Sequence, residues 1–381
     1  MSEVIVSPVK SRRERRQFVD LAWELYRDDP NWVPPLRANL AQLLGYRRHP
    51  FHDEAEVQTF LARRNGRVCG RVAAVLNHMH NRYYSEKRGF FGFFECINDQ
   101  QTAKALFNAV TGWFAERGIH AVRGPVNPSM NYECGLLIQG FDSPPTFMMT
   151  YNPPNYAELI EGCGFRKTHD LLAYEGNADQ LPGLEERLGG IMRQAEERAG
   201  TTYRHLDRKR FSQDVELFLD LFNRSFVTMW GFVPMSDEEI SHMAASLRHL
   251  LIPELVTFAE AEGRAVGAIL ALPDYNPRIK RIDGRLFPFG FLTLLSRRER
   301  IKKVRVLSIN VLPEYQRWGL GLVLMSQLVA PTLERGIETA EFSWVSEDND
   351  LARLGLEKGG AKITKIYRLY DLKPEAAKAD A

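Results

Sequence analysis

The sequence predicts an α/β fold that is repeated along the chain. Three short patterns recur in the same order and at nearly constant spacing, which indicates tandem copies of one α/β unit. A hairpin pattern, a helix-end pattern and a closing-strand pattern each occur twice. The pairs are Gly66-Arg67-x-x-Gly70 with Gly263-Arg264-x-x-Gly267, Glu116-Arg117-Gly118-Ile119 with Glu334-Arg335-Gly336-Ile337, and Glu161, Gly164 and Tyr174 with Glu357, Gly360 and Tyr370.

Each recurring pattern predicts its own element. The patterns at Gly66 and Gly263 lie between two apolar runs, as in β-hairpins. The patterns that end in Gly118 and Gly336 follow apolar residues at helical spacing, so each glycine ends a helix. The third pattern combines a helix, a glycine stop and a closing strand. Each copy is therefore predicted as helix, hairpin, strand, helix, strand, helix, strand.

The same patterns set the domain boundaries. The first copy covers residues 1–176 and the second covers 203–372. A linker, 177–202, carries a charged helix at 184–199, and 373–381 is predicted as a disordered tail. Unequal spacing places an insert within 125–156 of the first copy and another near 274–300 of the second. The first insert is rich in Pro, Asn and Tyr and predicts either a binding wall of stiff turns or a rigid surface loop.

A strand, a tight turn and a helix start follow one another from Val304. The β-branched run ends before Pro313, and then Gln316, Gly319 and Gly321 open an apolar stretch. Glycines at a helix start expose backbone N–H groups, which attract phosphate oxygens. The segment predicts a pyrophosphate cradle. It lacks the Lys and Ser or Thr of a Walker A loop and the third glycine of a dinucleotide fingerprint.

The spacing of Gln316, Gly319 and Gly321 resembles motif A of the GNAT acetyltransferases. The resemblance implies two tandem GNAT-like domains, each a mixed, mostly antiparallel sheet with helices on both faces. It also implies acetyl-CoA as co-substrate, without a metal ion. Asn349 begins an N-x-x-A motif and is implied either to bind pantetheine or to cap a helix. The implied coenzyme-binding residues are Ile309, Val311, Gln316, Arg317, Trp318, Gly319, Leu320, Gly321, Leu322, Val323 and Asn349.

The first copy lacks the cradle. Its corresponding residues are Asn98, Gln101 and Ala103, and the added side chains would crowd the approach of a phosphate to the backbone. We therefore predict one coenzyme site, in the second copy, with the first copy as a degenerate partner domain.

Two proton-transfer positions depart from the family. The Tyr that often protonates the leaving thiolate is replaced by Leu356, and the Glu that often serves as general base is replaced by Ser308. The catalytic residues are therefore left unassigned. Tyr367 and Tyr370 are either cleft residues or ordinary strand aromatics. Candidates for an acceptor pocket, chosen by position, are Trp230, Gly231, Phe232, Pro234, Asp274, Tyr275, Asn276 and Arg278.

The predicted function is acetyl transfer from acetyl-CoA to the amine of a small molecule or peptide. Two alternatives remain: a non-catalytic acyl-CoA sensor or scaffold, and a peptidyl or aminoacyl transferase. A net charge of +2 gives no reason to expect a nucleic-acid partner. No apolar stretch approaches the ~20 residues that cross a bilayer, and no signal-peptide core is visible. We therefore expect a cytoplasmic protein without a membrane partner. The nine histidines lack a metal-binding spacing.

Overall fold

The computed structural model describes residues 3–373, so most of the predicted tail, 374–381, lies outside the described residues. The chain forms two compact units. The first unit contains 3–170, Arg278–Gly290 and 366–373, and the second contains Leu171–Pro277 and Phe291–Lys365. Each unit therefore combines segments from both copies. The division into domains by chain order remains a prediction about the repeat.

The first copy contains the predicted elements in the predicted order, together with further short elements, among them a strand at its start. Its elements are β1 (Val4–Pro8), α1 (Arg12–Leu25), α2 (Arg37–Leu43), β2 (Ala55–Arg64), β3 (Arg67–Asn77), α3 (His78–Tyr84), β4 (Arg88–Cys96), α4 (Gln100–Ala115), β5 (Ala121–Gly124), β6 (Val126–Asn127), β7 (Glu133–Cys134), β8 (Leu136–Gln139), α5 (Tyr156–Glu161) and β9 (Arg166–Asn177).

The linker helix has the predicted bounds, and the second copy repeats the pattern of the first. The elements are α6 (Leu184–Ala199), β10 (Thr202–His205), α7 (Phe211–Ser225), α8 (Asp237–Leu247), β11 (Val256–Ala261), β12 (Arg264–Pro273), α9 (Asn276–Arg281), α10 (Gly290–Leu295), β13 (Lys303–Val311), α11 (Pro313–Gln316), α12 (Leu320–Ser326), α13 (Val329–Glu334), β14 (Thr339–Ser346), α14 (Asp350–Lys358) and β15 (Lys362–Leu372).

The two predicted hairpins are present. β2 pairs with β3 and β11 pairs with β12, both antiparallel. Gly66 and Gly263 occupy the turns with φ of +76° and +74°, a left-handed conformation that favours glycine. The insert of the second copy forms α9 and α10, between β12 and β13.

The first unit has a mixed sheet with helices on both faces. Its strand order is β1-β2-β3-β4-β5-β15, antiparallel except for the parallel pair β4 and β5, and β8 also pairs with β15. Neighbouring residues of β3 show the two faces. Arg71 donates to the carbonyl of Phe18 in α1, whereas Gly70 faces Leu106 of α4. An apolar core, which includes Val72, Leu106 and Phe114, fills the α4 side.

The second unit has the same architecture. Its strand order is β9-β14-β13-β12-β11-β10, and only β13 and β14 are parallel. Asn310 of β13 faces α7, where it donates to the carbonyl of Phe218, and Ile309 lies under Gly321 of α12. The predicted fold class, a mixed and mostly antiparallel sheet with helices on both faces, is thus confirmed.

The closing strands are exchanged. β9 of the first copy pairs with β14 in the second unit, and β15 of the second copy pairs with β5 in the first unit. The repeated residues bond accordingly: Tyr174 donates to Glu357 at 2.7 Å, and Tyr370 donates to Glu161 at 3.1 Å. Since both strands carry the Tyr and both helices carry the Glu, either strand offers the same hydrogen bond.

Among residues 3–373, no helix combines the length and the apolar composition that crossing a bilayer requires.

Candidate active site

A cleft opens within the sheet of the second unit, where β13 and β14 separate. The two strands pair from Lys303 and Thr339 as far as Val306 and Phe342, although both continue beyond these residues. At the same level, the register between β12 and β13 shifts, so that Leu307 is an extra residue in β13. Such a β-bulge bends its strand and leaves the extra residue outside the ladder. The bulge and the separation therefore form one local feature.

The predicted cradle lies at the carboxyl end of β13. After α11, Gly319 has φ of +86° and precedes the first residue of α12. The Gln316 side chain donates to the carbonyls of Val311 at 2.9 Å and Ser225 at 3.2 Å. Gln316 thus fixes the turn through its own hydrogen bonds.

Backbone donors are available at the start of α12. No side chain caps this helix, and within residues 3–373 the N–H groups of Leu320 and Gly321 have no acceptor. A Cβ on Gly321 would lie 3.8 Å from Ile309 of β13, so the first turn of α12 lies beside the opening cleft. This geometry suits an incoming anion.

The first copy closes the corresponding helix start with a carboxylate of its own. Asp99 caps α4 and accepts from the backbone N–H and the hydroxyl of Thr102, both at 2.7 Å. It also pairs with Arg64 at 2.7 Å. The place that a phosphate would take is therefore occupied.

The first copy also fills its own strand separation. β4 and β5 pair only from Arg88 to Phe90, and β6 then lies against β4. Asn127 accepts from the N–H of Phe93 at 2.7 Å, and a Cβ on Gly92 would come within 1.7 Å of the carbonyl of Val126. This part of the Pro- and Asn-rich insert is packed inside the unit, neither as a surface loop nor as an open binding wall. The packing supports the interpretation of this copy as degenerate.

A buried polar group that the sequence analysis missed lies where β13 and β14 begin to separate. Arg305 and Glu341 stand opposite each other in the parallel register and are 2% and 0% exposed. Ser343 accepts from Arg305 at 2.9 Å and donates to Glu341 at 2.8 Å. The available signal was a charged residue within each of two apolar strands, which is unusual for buried positions.

Lys303 adds a second cation to this group. Its ammonium lies 3.6 Å from Glu341 and 2.6 Å from Glu175. Burial alone would lower the pKa of Lys303, but the two carboxylates outweigh it and raise the pKa. Lys303 therefore stays charged at neutral pH and balances Glu341.

The residues at the implied proton-transfer positions have structural partners. Ser308 follows the bulge, and its hydroxyl donates to the side-chain oxygen of Asn310 at 2.5 Å. Leu356 is buried on α14. Asn349 accepts from the N–H of Ala352 at 3.1 Å, so of its two implied roles the helix cap is observed.

An apolar cavity of about 140 Å³, partly open to solvent, runs beside the cleft in the second unit. Its lining includes Val306 and Phe342, the last paired residues of β13 and β14, and Leu322 of the cradle. The linker helix α6 covers it. Its other apolar walls include Leu184, Leu188, Met192, Met325, Val329, Leu333 and Leu356.

The remaining predicted residues fall at varied places. Phe232 lies in an aromatic group with Phe222 and Phe226, after α7. Tyr275 is fully buried and donates to the carbonyl of Leu250. Tyr367 and Tyr370 are fully buried in the first unit, as strand aromatics. Trp230, Gly231 and Pro234 lie between α7 and α8, Asp274 and Asn276 lie at the start of the second insert, and Arg278 belongs to the first unit.

Residues 3–373 contain no group of three or more His, Cys, Asp or Glu side chains suited to a metal ion.

Comparison with known proteins identifies related sequences. A sequence profile described as the Acetyltransferase (GNAT) family matches residues 215–356, which span the cleft and the cradle. Protein YghO of Escherichia coli (strain K12) is 33% identical over 376 residues, 96% of this chain and 95% of that protein. A bacterial ceramide synthase of Caulobacter vibrioides (strain NA1000 / CB15N) is 33% identical over 379 residues, 97% of each chain.

Solved structures share the fold at low sequence identity. A tandem GNAT protein from the clavulanic acid biosynthesis pathway matches 99% of this chain and 100% of its own, with a TM-score of 0.55 and 11% identity. A GCN5-related N-acetyltransferase from Sphaerobacter thermophilus matches 98% of this chain and 97% of its own, with a TM-score of 0.54 and 15% identity. These likenesses show the tandem fold.

Proposed function

The chain belongs to the GNAT acyltransferase superfamily, in its tandem form, and we propose that it transfers an acyl group from coenzyme A to an amine. The observation that carries the proposal is the coincidence of two features in the second unit. β13 and β14 separate after Val306 and Phe342. The unbonded N–H groups of Leu320 and Gly321 lie at the start of α12, beyond the carboxyl end of β13. A coenzyme would place its pyrophosphate on the cradle and its thioester in the cleft.

The chemistry requires an amine to attack the thioester carbonyl. The C–N bond forms, the C–S bond breaks, the amine nitrogen loses a proton and the thiolate gains one. Main-chain groups at the Leu307 bulge stand outside the ladder and are suited to polarising the carbonyl. With Leu356 and Ser308 at the usual proton-transfer positions, the reaction draws on proximity and on protons exchanged with water.

The apolar cavity favours a donor with a longer chain than acetyl. It reaches the strand separation and is bounded mostly by apolar side chains, which suit a hydrocarbon chain and give an acetyl group no advantage. One relative is named a bacterial ceramide synthase, and a ceramide is the amide of a long-chain amino alcohol. We therefore propose a fatty acyl-CoA as donor and the amino group of an amphiphile as acceptor. Acetyl-CoA, the donor expected from the motif alone, is the donor against which the fatty acyl-CoA is to be compared.

The test measures binding and turnover separately. Calorimetry with acetyl-, octanoyl- and palmitoyl-CoA gives the affinity for each donor, and release of the coenzyme A thiol with a panel of amines gives turnover. We expect binding that strengthens with chain length and thiol release that requires an amphiphilic amine. Binding without turnover on any amine would favour an acyl-CoA sensor. An absence of binding to every acyl-CoA would contradict the proposal.

A further inference from the structure

The insert of the second copy presents two of the most exposed apolar side chains of the described residues. Phe287 and Phe289 are 78% and 72% exposed, more than any other large hydrophobic residue in 3–373. They flank Pro288 in the part of the insert that belongs to the first unit. We call residues 287–289 the aromatic tip. Two phenylalanines side by side in water carry an apolar surface that normally marks a site of interaction.

The base of this segment is held firmly. Asp283 accepts from the indole N–H of Trp23 at 2.6 Å, and the carbonyl of Gly284 accepts from the N–H of Arg37 at 3.0 Å. Gly284 is packed so closely that a Cβ would come within 2.2 Å of the carbonyl of Pro35. Lys280 donates to the carbonyl of Pro30. Helices α1 and α2 and the turn that joins them therefore fix the position from which the tip projects.

Cations surround the base of the tip. An open cavity of about 500 Å³ is bounded by arginines, three carboxylates and two aromatic rings, all within the first unit. Its charged residues are Arg15, Arg16, Arg27, Arg37 and Arg285, with Asp20, Glu24 and Asp283. Lys280 and Arg281, nearby in the chain, are exposed. Positive charge thus exceeds negative charge at this place.

Some of these arginines are already paired and others are available. Arg37 pairs with Asp20 at 2.7 Å and lies 3.7 Å over the ring of Trp23. Within residues 3–373, Arg15 and Arg27 have no carboxylate within 4.0 Å, and Arg15 lies over the ring of Tyr46. A guanidinium without an internal carboxylate is suited to a phosphate from outside.

We propose that this face of the first unit docks on the surface of an anionic lipid bilayer. The aromatic tip enters the boundary between headgroups and acyl chains, where such rings are stable, and the arginines bind lipid phosphates. The positive charge of the arginines complements the negative charge of the lipid phosphates, which favours a bilayer over a second copy of the chain. A second copy of the chain would place the same excess of arginines against itself, because a twofold interface joins identical patches.

The small net charge of the whole chain gave no sign of such a surface, because a net charge does not show how a few arginines are grouped in space. The proposal does not depend on the acyl-transfer reaction. It does place the enzyme where amphiphilic substrates would be held.

The test uses the full-length protein and vesicles of phosphatidylcholine with and without phosphatidylglycerol. Co-sedimentation is expected with the anionic vesicles and should weaken as salt is added. The double variant Phe287→Ser with Phe289→Ser is expected to bind roughly a hundredfold more weakly, about tenfold for each phenylalanine. The variant Ile5→Ser is the matched control, because Ile5 is 65% exposed on β1 of the same unit. It should bind as the parent does.

A second pair of substitutions tests the charges. Arg15→Gln with Arg27→Gln should weaken binding to the anionic vesicles and flatten its dependence on salt. Urea unfolding verifies that every variant is folded, and exposed side chains should leave the midpoint unchanged. The proposal is overturned if the parent ignores anionic vesicles, or if the phenylalanine variant binds as well as the control. It is equally overturned if the parent is an oligomer without affinity for vesicles and the phenylalanine variant is a monomer.

Discussion

At the residue scale, the two copies differ in what accepts hydrogen bonds from the first backbone N–H groups of α4 and of α12. In the first copy, the carboxylate of Asp99 accepts from Thr102, whereas in the second copy the N–H groups of Leu320 and Gly321 have no acceptor in the described chain. A carboxylate of the protein and a phosphate of a ligand are alternative partners for the same donors. A few side chains thus separate a closed site from an open one.

The change Gly321→Asp tests the open site. Gly321 lacks the left-handed conformation of Gly319, and a Cβ there would make an ordinary contact with Ile309, so the fold should tolerate a side chain. A carboxylate beside the pyrophosphate should weaken acyl-CoA binding about tenfold or more, through repulsion between like charges. Calorimetry measures the loss. Gln101→Asp, on the exposed face of α4, is the control and should leave binding unchanged.

The change Ala340→Phe tests the apolar cavity. Ala340 is a small residue of its wall, near the separation of the strands, and a phenyl group would take space that a hydrocarbon chain needs. We expect affinity for palmitoyl-CoA to fall roughly tenfold or more while affinity for acetyl-CoA stays the same. Competition between the two donors measures this ratio. An equal loss for both would show that the cavity does not hold the acyl chain.

Features that depend on local geometry were predictable from the sequence. The turn from Gln316 to Gly321 and the cap at Asn349 were visible because each depends on neighbours in the chain. The contact between Arg305 and Glu341 was not visible in the sequence, because it depends on the register between β13 and β14, which are far apart in the chain. A parallel register leaves no local signal.

At the element scale, α4 depends on its cap. Asp99→Ala should lower the free energy of unfolding by about 0.5–2 kcal/mol, since the N–H of Thr102 loses its acceptor. Asp99→Asn should retain most of this stability, because Asn also caps helices well. Urea unfolding of the three proteins measures the difference.

The pH dependence of stability distinguishes the hydrogen bond that Asp99 makes as a helix cap from the contribution of its negative charge. Burial alone would raise the pKa of Asp99, but the bonds from Thr102 and the charge of Arg64 outweigh it and lower the pKa below its ordinary 3.8. The carboxylate therefore contributes stability that is fully present above that value and is lost as the pH falls through the folded-state pKa. Asp99→Asn should remove this part of the acid dependence. An unchanged acid profile would contradict the assignment.

Elements with strong local patterns were predictable, and those defined by distant contacts were not. α6 was predicted with its observed bounds from its charged helical composition, and the hairpins followed from Gly66 and Gly263. β1 and β10 were missed. β1 has only five residues and β10 only four, and each is defined by pairing with the edge of a sheet. β6 was also missed, because it has only two residues and is defined by its pairing with β7, itself only two residues long.

At the scale of the whole molecule, the exchanged strands make the two units interdependent. Tyr174 bonds to Glu357 in the second unit, and Tyr370 bonds to Glu161 in the first. Tyr174→Phe and Tyr370→Phe should each lower the free energy of unfolding by about 0.5–1.5 kcal/mol, because a hydrogen bond to an exposed glutamate is lost. Thermal unfolding should show a loss for both variants. Stability that is unchanged in both would argue against the exchange.

The repeat itself could be recognised from the sequence, but the exchange could not. The residues that identify the two copies as repeats are the ones that make their closing strands equivalent. Both strands carry the Tyr, both preceding helices carry the Glu, and both strands are largely buried. A local pattern therefore fits either pairing. Only the competition between complete sheets decides which strand completes which unit.

A division of the chain at the boundary between copies tests this arrangement. The fragment 1–176 lacks Arg278–Gly290 and β15, which supplies the fully buried Tyr367, Leu369 and Tyr370 to the first unit. It should therefore unfold without cooperativity and be digested rapidly by protease, because the edge of β5 and the core beneath it are left uncovered. Co-expression with 177–381 should restore cooperative unfolding and a stable complex, since together the fragments contain every strand of both sheets. A fragment 1–176 that folds cooperatively alone would show that β9 can take the place of β15, and that the exchange is not required for the fold.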